Sequence, residues 1–258
     1  RPDAAERAQD IIDQMFEEYN KNKNKNSRAA TMNSVKPNAM IMTVVMNAWA
    51  KSGRRDAGER AESLLNKLIE MYNESDHEES LKPLPMSFSA TMNAWAKSRM
   101  FGKAAKAKAV LDRMVDMFES GKCEARPNTM VYTTLINACA YTIGDDREKT
   151  EAFHMANQAF KELCASPYGR PNDVTYNAYI TAAQNLLPKD ESRAQFAEAV
   201  FKRCCKDGQV SFLVIRRLNR VLPRERMRAL LESSYEHDVF DIERLPQEWR
   251  RNIISKRP

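Results

Sequence analysis

The chain has 258 residues, and its 41 Lys and Arg outnumber its 35 Asp and Glu, so its formal net charge is +6. Its 7 glycines are few for an enzyme built on glycine-rich phosphate-binding turns, and it has no apolar run of the length that crosses a membrane. The excess of positive charge is compatible with a polyanionic partner without requiring one.

One kind of segment recurs five times along the chain. A small Ala is followed by apolar residues three, four and seven positions later, which is the one-face pattern of a packed helix. The copies begin at Ala8, Ala61, Ala107, Ala156 and Ala197, so they are 53, 46, 49 and 41 residues apart. We expect this variation to fall in loops, where extra residues cost little free energy.

A second kind of segment alternates with the first and predicts another helix. We call this helix the first helix of each hairpin, and the Ala-containing helix its second helix. The copies of the first helix read PNAMIMTVVMNAWAKSG, LPMSFSATMNAWAKSR, PNTMVYTTLINACAYT and PNDVTYNAYITAAQN, and they begin at Pro37, Leu84, Pro127 and Pro171. Their apolar residues follow the spacing i, i+3, i+4, i+7, which predicts a buried stripe with Trp49 in the core. The four stripes are Met42, Val45, Met46, Trp49; Phe88, Thr91, Met92, Trp95; Tyr132, Leu135, Ile136, Cys139; and Tyr176, Tyr179, Ile180, Ala183.

The alternation predicts an all-α fold, an α-solenoid of stacked antiparallel helix hairpins. We expect residues 1–36 to hold the second helix of a truncated repeat and a disordered loop, residues 37–208 four hairpins, and residues 209–258 degenerate capping helices with a basic tail. The segment NKNKNKNS, from Asn20 to Ser27, is interpreted as a solvated insertion, with a Lys-rich RNA contact as the other interpretation. Ser211 is a candidate N-cap. Because the chain opens with Arg1 inside a helical pattern, we expect it to be a fragment.

A stripe of small polar residues runs along the predicted first helices, one residue round from the buried stripe. Ser, Thr and Asn are poor choices for a merely solvated helix face, where Lys, Glu or Arg form helix better. These side chains either hold neighbouring repeats together or read one ligand unit per repeat, because they both donate and accept at the edges of unpaired bases. The polar stripe consists of Thr43, Ser89, Thr133, Asn177 and, four residues later in each helix, Asn47, Asn93, Asn137, Thr181.

The two segments together resemble the pentatricopeptide repeat. The resemblance rests on the opening "P-N/D-x-V/M-x-Y/F-N/T/S-x-L-I-x-A", best seen in PNTMVYTTLINACA and PNDVTYNAYITAA, and on the second helix "A-x-x-V/L-F/L-x-x-M/L". It covers residues 4–208. The tetratricopeptide repeat has a similar plan, but its W-x-x-L-G-x-x-Y opening is absent. The resemblance implies a right-handed superhelix that binds single-stranded RNA, one base per repeat, in a mitochondrion or plastid.

The resemblance also implies which residues contact the bases. Base selection would pair Ser89 with Asn128 and Thr133 with Asn172, which favours two adjacent adenines. Thr43 would be paired with Leu84, a departure from the family pattern, and Asn177 implies a pyrimidine with an irregular partner, Gly208. The repeats are longer than is usual in the family, which affects the stepping of one base per repeat. Each base would be clamped between apolar side chains, carried over here as Met40, Met86, Met130 and Val174.

No residue pattern predicts catalysis, a metal or a cofactor. His77, His154 and His237 are isolated, and Asp238, Asp241 and Glu243 lie in a tail too short for a nuclease fold. The five cysteines show no metal-ligand spacing, and we interpret Cys204 and Cys205 as buried thiols. We therefore expect a non-enzyme that binds RNA, or else a protein-binding scaffold, with no small-molecule substrate and no membrane span. A basic cluster is either acid-paired and solvated or contacts phosphates: Arg216, Arg217, Arg220, Arg224, Arg226, Arg228.

Overall fold

A computed structural model describes residues 3–23, 36–231, 235–236 and 239–253. In this part of the chain the protein is helical apart from one antiparallel pair of two-residue strands, β1 (Tyr235–Glu236) and β2 (Val239–Phe240). The all-α prediction is therefore confirmed at the level of secondary structure. Within the same residues, every helix is too short or too polar to span a lipid bilayer. The chain divides into two compact units, Arg1–Thr134 and Leu135–Pro258.

The first unit is built from helices that pack on their neighbours in the chain and on the next but one. α2 contacts α1, α3 and α4, and α4 also contacts α3 and α5. A short 3-10 helix, Glu79–Leu81, packs against α3. The helices are α1 (Asp3–Lys23), α2 (Ala39–Ser52), α3 (Ala57–Glu74), α4 (Pro85–Lys97), α5 (Lys103–Glu119) and α6 (Thr129–Ala140), whose last six residues belong to the second unit.

The first helices begin and end where the sequence places helix signals. The Oδ1 atom of Asn38 accepts a hydrogen bond from the backbone N–H of Ile41 (2.9 Å), which satisfies one of the free donors at the start of α2. Gly53 follows α2 with φ of 64°, a left-handed conformation that glycine adopts without strain. Pro85 is the first residue of α4, where its missing N–H costs nothing.

The predicted buried stripes form the core of the first unit, with both tryptophans inside. The indole N–H of Trp49 donates to Gln9 and that of Trp95 donates to Glu62, both at 2.9 Å, so neither polar atom is left unpaired. α3 approaches Trp95 so closely that a Cβ on Gly58 would lie 2.3 Å from the indole ring. Glycine is therefore required there for packing, although it weakens a helix.

Within the second unit, helices also pack on their neighbours in the chain and on the next but one. α8 contacts α7, α9 and α10, and the buried ring of Phe160 stacks on Tyr179 with centroids 4.2 Å apart. Burial of these apolar faces drives the packing, since each large side chain removed from water contributes about 1.5–3 kcal/mol. The remaining helices are α7 (Asp146–Ala165), α8 (Asp173–Leu186), α9 (Glu191–Lys206), α10 (Phe212–Leu218), α11 (Arg224–Leu230) and α12 (Gln247–Arg250).

α10 repeats the buried pattern of α8. Val214, Ile215 and Leu218 are buried at the positions, 39 residues later, that correspond to Thr175, Tyr176 and Tyr179. α10 is therefore a fifth first helix, although the sequence pattern weakens from Ser211 onward. Ser211 is the N-cap residue of α10, as predicted, with an extended backbone, but its hydroxyl is buried and makes no capping hydrogen bond.

Two other local predictions differ from the structure. α1 continues to Lys23, so the first residues of the Asn/Lys-rich segment are helical, and residues 24–27 lie outside the described residues. Ile11, expected on the packed face of α1, is 59% exposed. Ile12, predicted on the same face, is buried as expected, and α1 packs against α2.

Candidate nucleic-acid interface

The first helices share an exposed apolar residue at their second position, which is unusual because large apolar side chains are favoured in the core. We call this set the apolar row. In the first unit it comprises Met40, Met86 and Met130, and in the second unit Val174 and Leu213. Their exposed fractions are 53, 44, 43, 47 and 37%, respectively. The four base-clamp residues implied by the family resemblance are thus all exposed, and α10 supplies a fifth.

In α2 and α4 the same helix face also carries an amide and a cation. Asn47 and Lys51 follow Met40 by 7 and 11 residues, and at about 100° per residue all three lie within about 40° of one another. Asn93 and Lys97 stand in the same relation to Met86, because the string NAWAKS is repeated. Both lysines are exposed and both asparagines are half-buried. Each face therefore presents an apolar group, a hydrogen-bonding group and a positive charge in that order.

The corresponding face changes along α6 and α8. Asn137 and Tyr141 are exposed in and just after α6, and Asn185 is exposed at the end of α8. Thr181, in contrast, is buried, and its hydroxyl donates to the carbonyl oxygen of Asn177 (2.6 Å). An aromatic ring and an amide thus stand where α2 and α4 carry lysine.

Two of the implied base-selecting residues are buried in the first unit. Thr43 is 1% exposed, its hydroxyl donates to the carbonyl of Ala39, and it shares a 2.6 Å hydrogen bond with Ser87 of α4. Ser89 is 4% exposed, and its hydroxyl has no hydrogen-bond partner among the described residues. Neither side chain offers a surface to a base in this arrangement. The interpretation of the polar stripe as helix–helix contact fits Thr43.

The other implied selectors are more accessible but are engaged by the protein. Asn128 and Asn172 cap α6 and α8, because their Oδ1 atoms accept from the N–H groups of Val131 (3.2 Å) and Thr175 (2.9 Å). Their amide nitrogens make no hydrogen bond within the described part of the chain. Thr133 is half-buried. Each of these Asn side chains therefore keeps its donors while its acceptor stabilises a helix.

Asn177, the implied pyrimidine selector, is held by the next first helix. The guanidinium of Arg217 in α10 donates to its Oδ1 (3.4 Å) and to the side-chain oxygen of Gln184 (3.0 Å). Gly208, its irregular partner, lies under the C-terminal segment. A Cβ there would be 2.6 Å from a side-chain carbon of Arg251, and its carbonyl accepts from the N–H of Asn252 (3.0 Å).

Two clefts in the first unit differ in charge. One, of about 690 Å³, lies along α2 and is lined by Val44, Asn47 and Lys51 together with Ala4 and Ala5. The other, of about 530 Å³, lies near the C-terminal ends of α1 and α3, and its lining includes three carboxylates and one amine: Glu70, Glu74, Glu78, Lys67. Only the first suits a polyanion, and it borders the face that carries Met40.

The basic cluster is divided between two roles. Arg226 forms ion pairs with Glu191 and Glu198 (3.3 Å to Glu198), and Arg217 contacts Asn177 as described. Arg216, Arg220 and Arg224 are exposed, and Arg228 is exposed with an interaction of its own. Pairing and exposure therefore both occur within this cluster.

Three of the residues considered as catalytic candidates have structural contacts, and His154 is exposed on α7. Asp241 caps the 3-10 helix Ile242–Arg244, and the Glu243 carboxylate lies 3.0 Å from Arg250. The ring of His77 packs edge-on against Tyr72. His237 and Asp238 lie outside the described residues. Within residues that are described, no three His, Cys, Asp or Glu side chains are grouped to hold a metal ion.

Sequence reasoning overlooked Lys51, Lys97, Tyr141 and Leu213. The repeated NAWAKS string places a lysine 11 residues after an exposed methionine in two helices, and this spacing is the signal that identifies Lys51 and Lys97. Leu213 could not be identified from the sequence because α10 lacks the Pro-Asn opening.

No protein-family model matches this chain, and no curated protein matches it either.

Proposed function

We propose that this chain is a pentatricopeptide-repeat-like protein that binds single-stranded RNA, with its hairpins stacked as a right-handed superhelix and one base bound per repeat. The observation that carries the proposal is the apolar row, in which every first helix exposes a Met, Val or Leu at one position. Isolated exposed apolar residues need no explanation, but a periodic set at a single helix position does. The proposed setting is a mitochondrion or plastid, as the family resemblance implies.

The chemistry of the exposed face supports an unpaired nucleic-acid strand. The flat face of a base packs on apolar or aromatic side chains, and this contact contributes about 1–3 kcal/mol per base with little sequence preference. Lys51 and Lys97 stand on the same face and supply the positive charge that a phosphate backbone requires. Asn47 and Asn93 lie between the two groups and can bond to a base or a ribose, although the amide nitrogen of Asn47 already donates one hydrogen bond to the carbonyl of Thr43 (3.1 Å).

Because Thr43 and Ser89 are buried, the proposed base-selecting residues differ from those that the family resemblance implies. We assign base preference to Thr133, Asn177 and the free amide donors of Asn128 and Asn172. The hydroxyl of Thr43 is assigned to holding α2 against α4. The first unit would then discriminate between bases less strongly than a protein that has two base-selecting residues in every repeat.

Fluorescence anisotropy with labelled ten-nucleotide RNAs tests the proposal. Met86→Ser and Met130→Ser should each weaken binding by at least about fivefold, because each removes the packing surface of one base. Phe101→Ser is the matched control, since Phe101 is 69% exposed in the same unit but lies outside the apolar row. An RNA with adjacent adenines should bind more tightly than a U-only RNA. Equal affinity of both variants and the control would overturn the proposal.

A protein-binding scaffold is the competing function, and the same variants separate it from RNA binding. An apolar row can also receive one face of a partner helix. In that case the methionine variants should lose a protein partner captured from organellar extract while no RNA oligomer binds the wild-type chain. RNA binding by the wild-type chain that depends on Met86 and Met130 would contradict the scaffold function.

A further inference from the structure

A second cleft of about 690 Å³ lies in the second unit, at the ends of α6 and α8. It combines cations with exposed apolar and aromatic surface. Lys189, Arg193 and Arg220 are its cations, and none of the described lining residues is acidic. Tyr141 and Ile143, in the turn after α6, are 49 and 65% exposed.

Two carbonyl groups at the helix ends that line this cleft accept hydrogen bonds from side chains. The carbonyl oxygen of Ala140 accepts from the amide nitrogen of Asn185 (2.9 Å), and that of Gln184 accepts from the guanidinium of Arg193 (2.7 Å). Free carbonyls at a helix C-terminus carry partial negative charge and would repel an anion. Pairing of these two carbonyls lowers that repulsion and commits Arg193 to the fold.

Lys189 and Arg220 are left as the available cations. Both are exposed, and neither forms an ion pair within the described residues. Asp190, the acidic neighbour of Lys189 in sequence, is occupied in capping α9, because its Oδ1 accepts from the backbone N–H groups of Ser192 (3.0 Å) and Arg193 (3.3 Å). The cleft therefore presents net positive charge beside the ring of Tyr141.

We infer that this cleft, here named the basic cleft, binds one nucleotide of single-stranded RNA, with a phosphate against Lys189 and Arg220 and a base against Tyr141. The inference rests on the proposed RNA binding and adds a subsite to it. An acidic peptide would use the two cations, but it would give no role to the exposed phenol ring beside them. Asn185, which lines the cleft, also lies on the face of α8 that exposes Val174, so the cleft adjoins the proposed path of the strand.

The subsite should not distinguish between bases. The amide nitrogen of Asn185 donates to Ala140, the side-chain oxygen of Gln184 accepts from Arg217, and the hydroxyl of Thr142 is buried, so none of these three groups is presented to a base edge. Stacking and charge remain, and both tolerate any base. Variants in the basic cleft should therefore weaken adenine-containing and U-only RNAs by the same factor.

The test is anisotropy with the same labelled RNAs over a range of salt concentrations. Lys189→Gln/Arg220→Gln should reduce the steepness of the log affinity against log salt plot by about 0.7 for each phosphate that is no longer neutralised. Tyr141→Ala should weaken binding at least about fivefold, and Tyr141→Phe less than about twofold, because phenylalanine keeps the ring. Lys161→Gln/Lys202→Gln is the control, since these exposed lysines lie on second helices α7 and α9. RNA with photoreactive thiouridine should crosslink to the peptide that contains Tyr141.

Each other outcome overturns a defined part of the assignment. If the wild-type chain binds RNA and responds to Met86→Ser, but the cleft variants behave like the control, the basic cleft is not a subsite while the proposed function stands. If the wild-type chain binds no RNA, both fail. If a glutamate-rich peptide, and not RNA, binds and depends on Lys189 and Arg220, the cleft receives an acidic protein segment and the inference is wrong.

Discussion

At the scale of single residues, burial separates side chains that hold the fold from those that can meet a ligand. Thr43 and Ser89 carry the hydroxyl group expected of a base-selecting residue, yet both side chains are buried among neighbouring helices. A hydroxyl in such a place must be judged by its partners, because an unpaired buried polar group costs about 1–3 kcal/mol. Thr43 has partners in Ala39 and Ser87, and its contribution is therefore to stability.

Thr43→Val tests this assignment with a substitution of nearly the same shape. Removal of the hydroxyl should lower the free energy of unfolding by about 1–3 kcal/mol, because Ser87 is then left without this hydrogen bond in a buried place. The ratio of affinities for adenine-containing and U-only RNAs should stay the same. Urea unfolding and anisotropy measure the two quantities. Ser63→Ala, on the exposed face of α3, is the control. A changed ratio with unaltered stability would show that Thr43 contacts a base.

The buried thiols of α9 make a second prediction at this scale. Burial raises the pKa of Cys205 to about 12 and raises the pKa of Cys204 further. In the unfolded chain a thiol releases its proton near pH 8.5, while the folded chain keeps it. The unfolded state is therefore favoured as the pH rises above that value, and stability should fall by up to about 1.4 kcal/mol per pH unit for each thiol.

Urea unfolding between about pH 8.5 and pH 10 measures this decrease before tyrosines begin to contribute. Cys204→Ala/Cys205→Ala should be less stable at neutral pH, because cavities form, but should show a flatter dependence on pH. Cys164→Ala should change the pH dependence less, since that thiol is only half-buried. If the stability of the double variant depends on pH as steeply as that of the wild type, groups other than Cys204 and Cys205 cause the dependence.

At the scale of helices, Asn172 combines capping with a proposed contact to RNA, and two substitutions separate them. Asn172→Ala should lower the free energy of unfolding by about 1 kcal/mol, because the N–H of Thr175 loses its acceptor. Asn172→Asp keeps a cap oxygen and should leave stability nearly unchanged. It removes the amide donors, however, and should alter the preference among bases. Thermal unfolding and anisotropy with four homopolymer RNAs give the two readouts.

Asn38→Asp is the matched control, because Asn38 caps α2 in the same way and is not an implied selector. It should keep stability and leave the order of base preferences unchanged. If Asn38→Asp and Asn172→Asp change affinity equally for all four RNAs, the effect is the added negative charge, and Asn172 does not select a base.

The helices and their buried faces could be predicted from the sequence, because periodic apolar residues and cap signals act locally. All sixteen residues of the four predicted stripes are buried. The accessibility of Thr43 and Ser89 could not be predicted, since both lie at the border of the buried stripe. A border residue is covered or left open according to how closely the next helix packs. α10 was predicted only as a degenerate capping helix, because its correspondence with α8 depends on the contacts between the two helices and no Pro-Asn signal precedes it.

At the scale of the whole molecule, charge is distributed so that acidic residues are often paired. Lys82 pairs with Glu124 at 2.6 Å, and Arg226 joins Glu191 and Glu198. Exposed ion pairs of this kind add little stability, about 0–1 kcal/mol each. Their consequence for a ligand is larger, because paired carboxylates repel a polyanion less than free ones do. The lysines on the first-helix faces, Lys51 and Lys97, form no ion pair within the described residues.

Binding of RNA should therefore be salt-sensitive but only in part electrostatic. If each of about four repeats neutralises one phosphate, log affinity should fall with log salt with a slope of about −2.8. Between about 50 mM and about 200 mM salt, affinity would then fall roughly 50-fold. Met86→Ser should lower affinity by the same factor at both salt concentrations, because base packing releases no counterions, whereas Lys51→Gln/Lys97→Gln should make the slope shallower. A slope near zero would mean that packing alone binds the strand. If Met86→Ser lowers affinity at low salt but not at high salt, the methionines do not contact the bases directly.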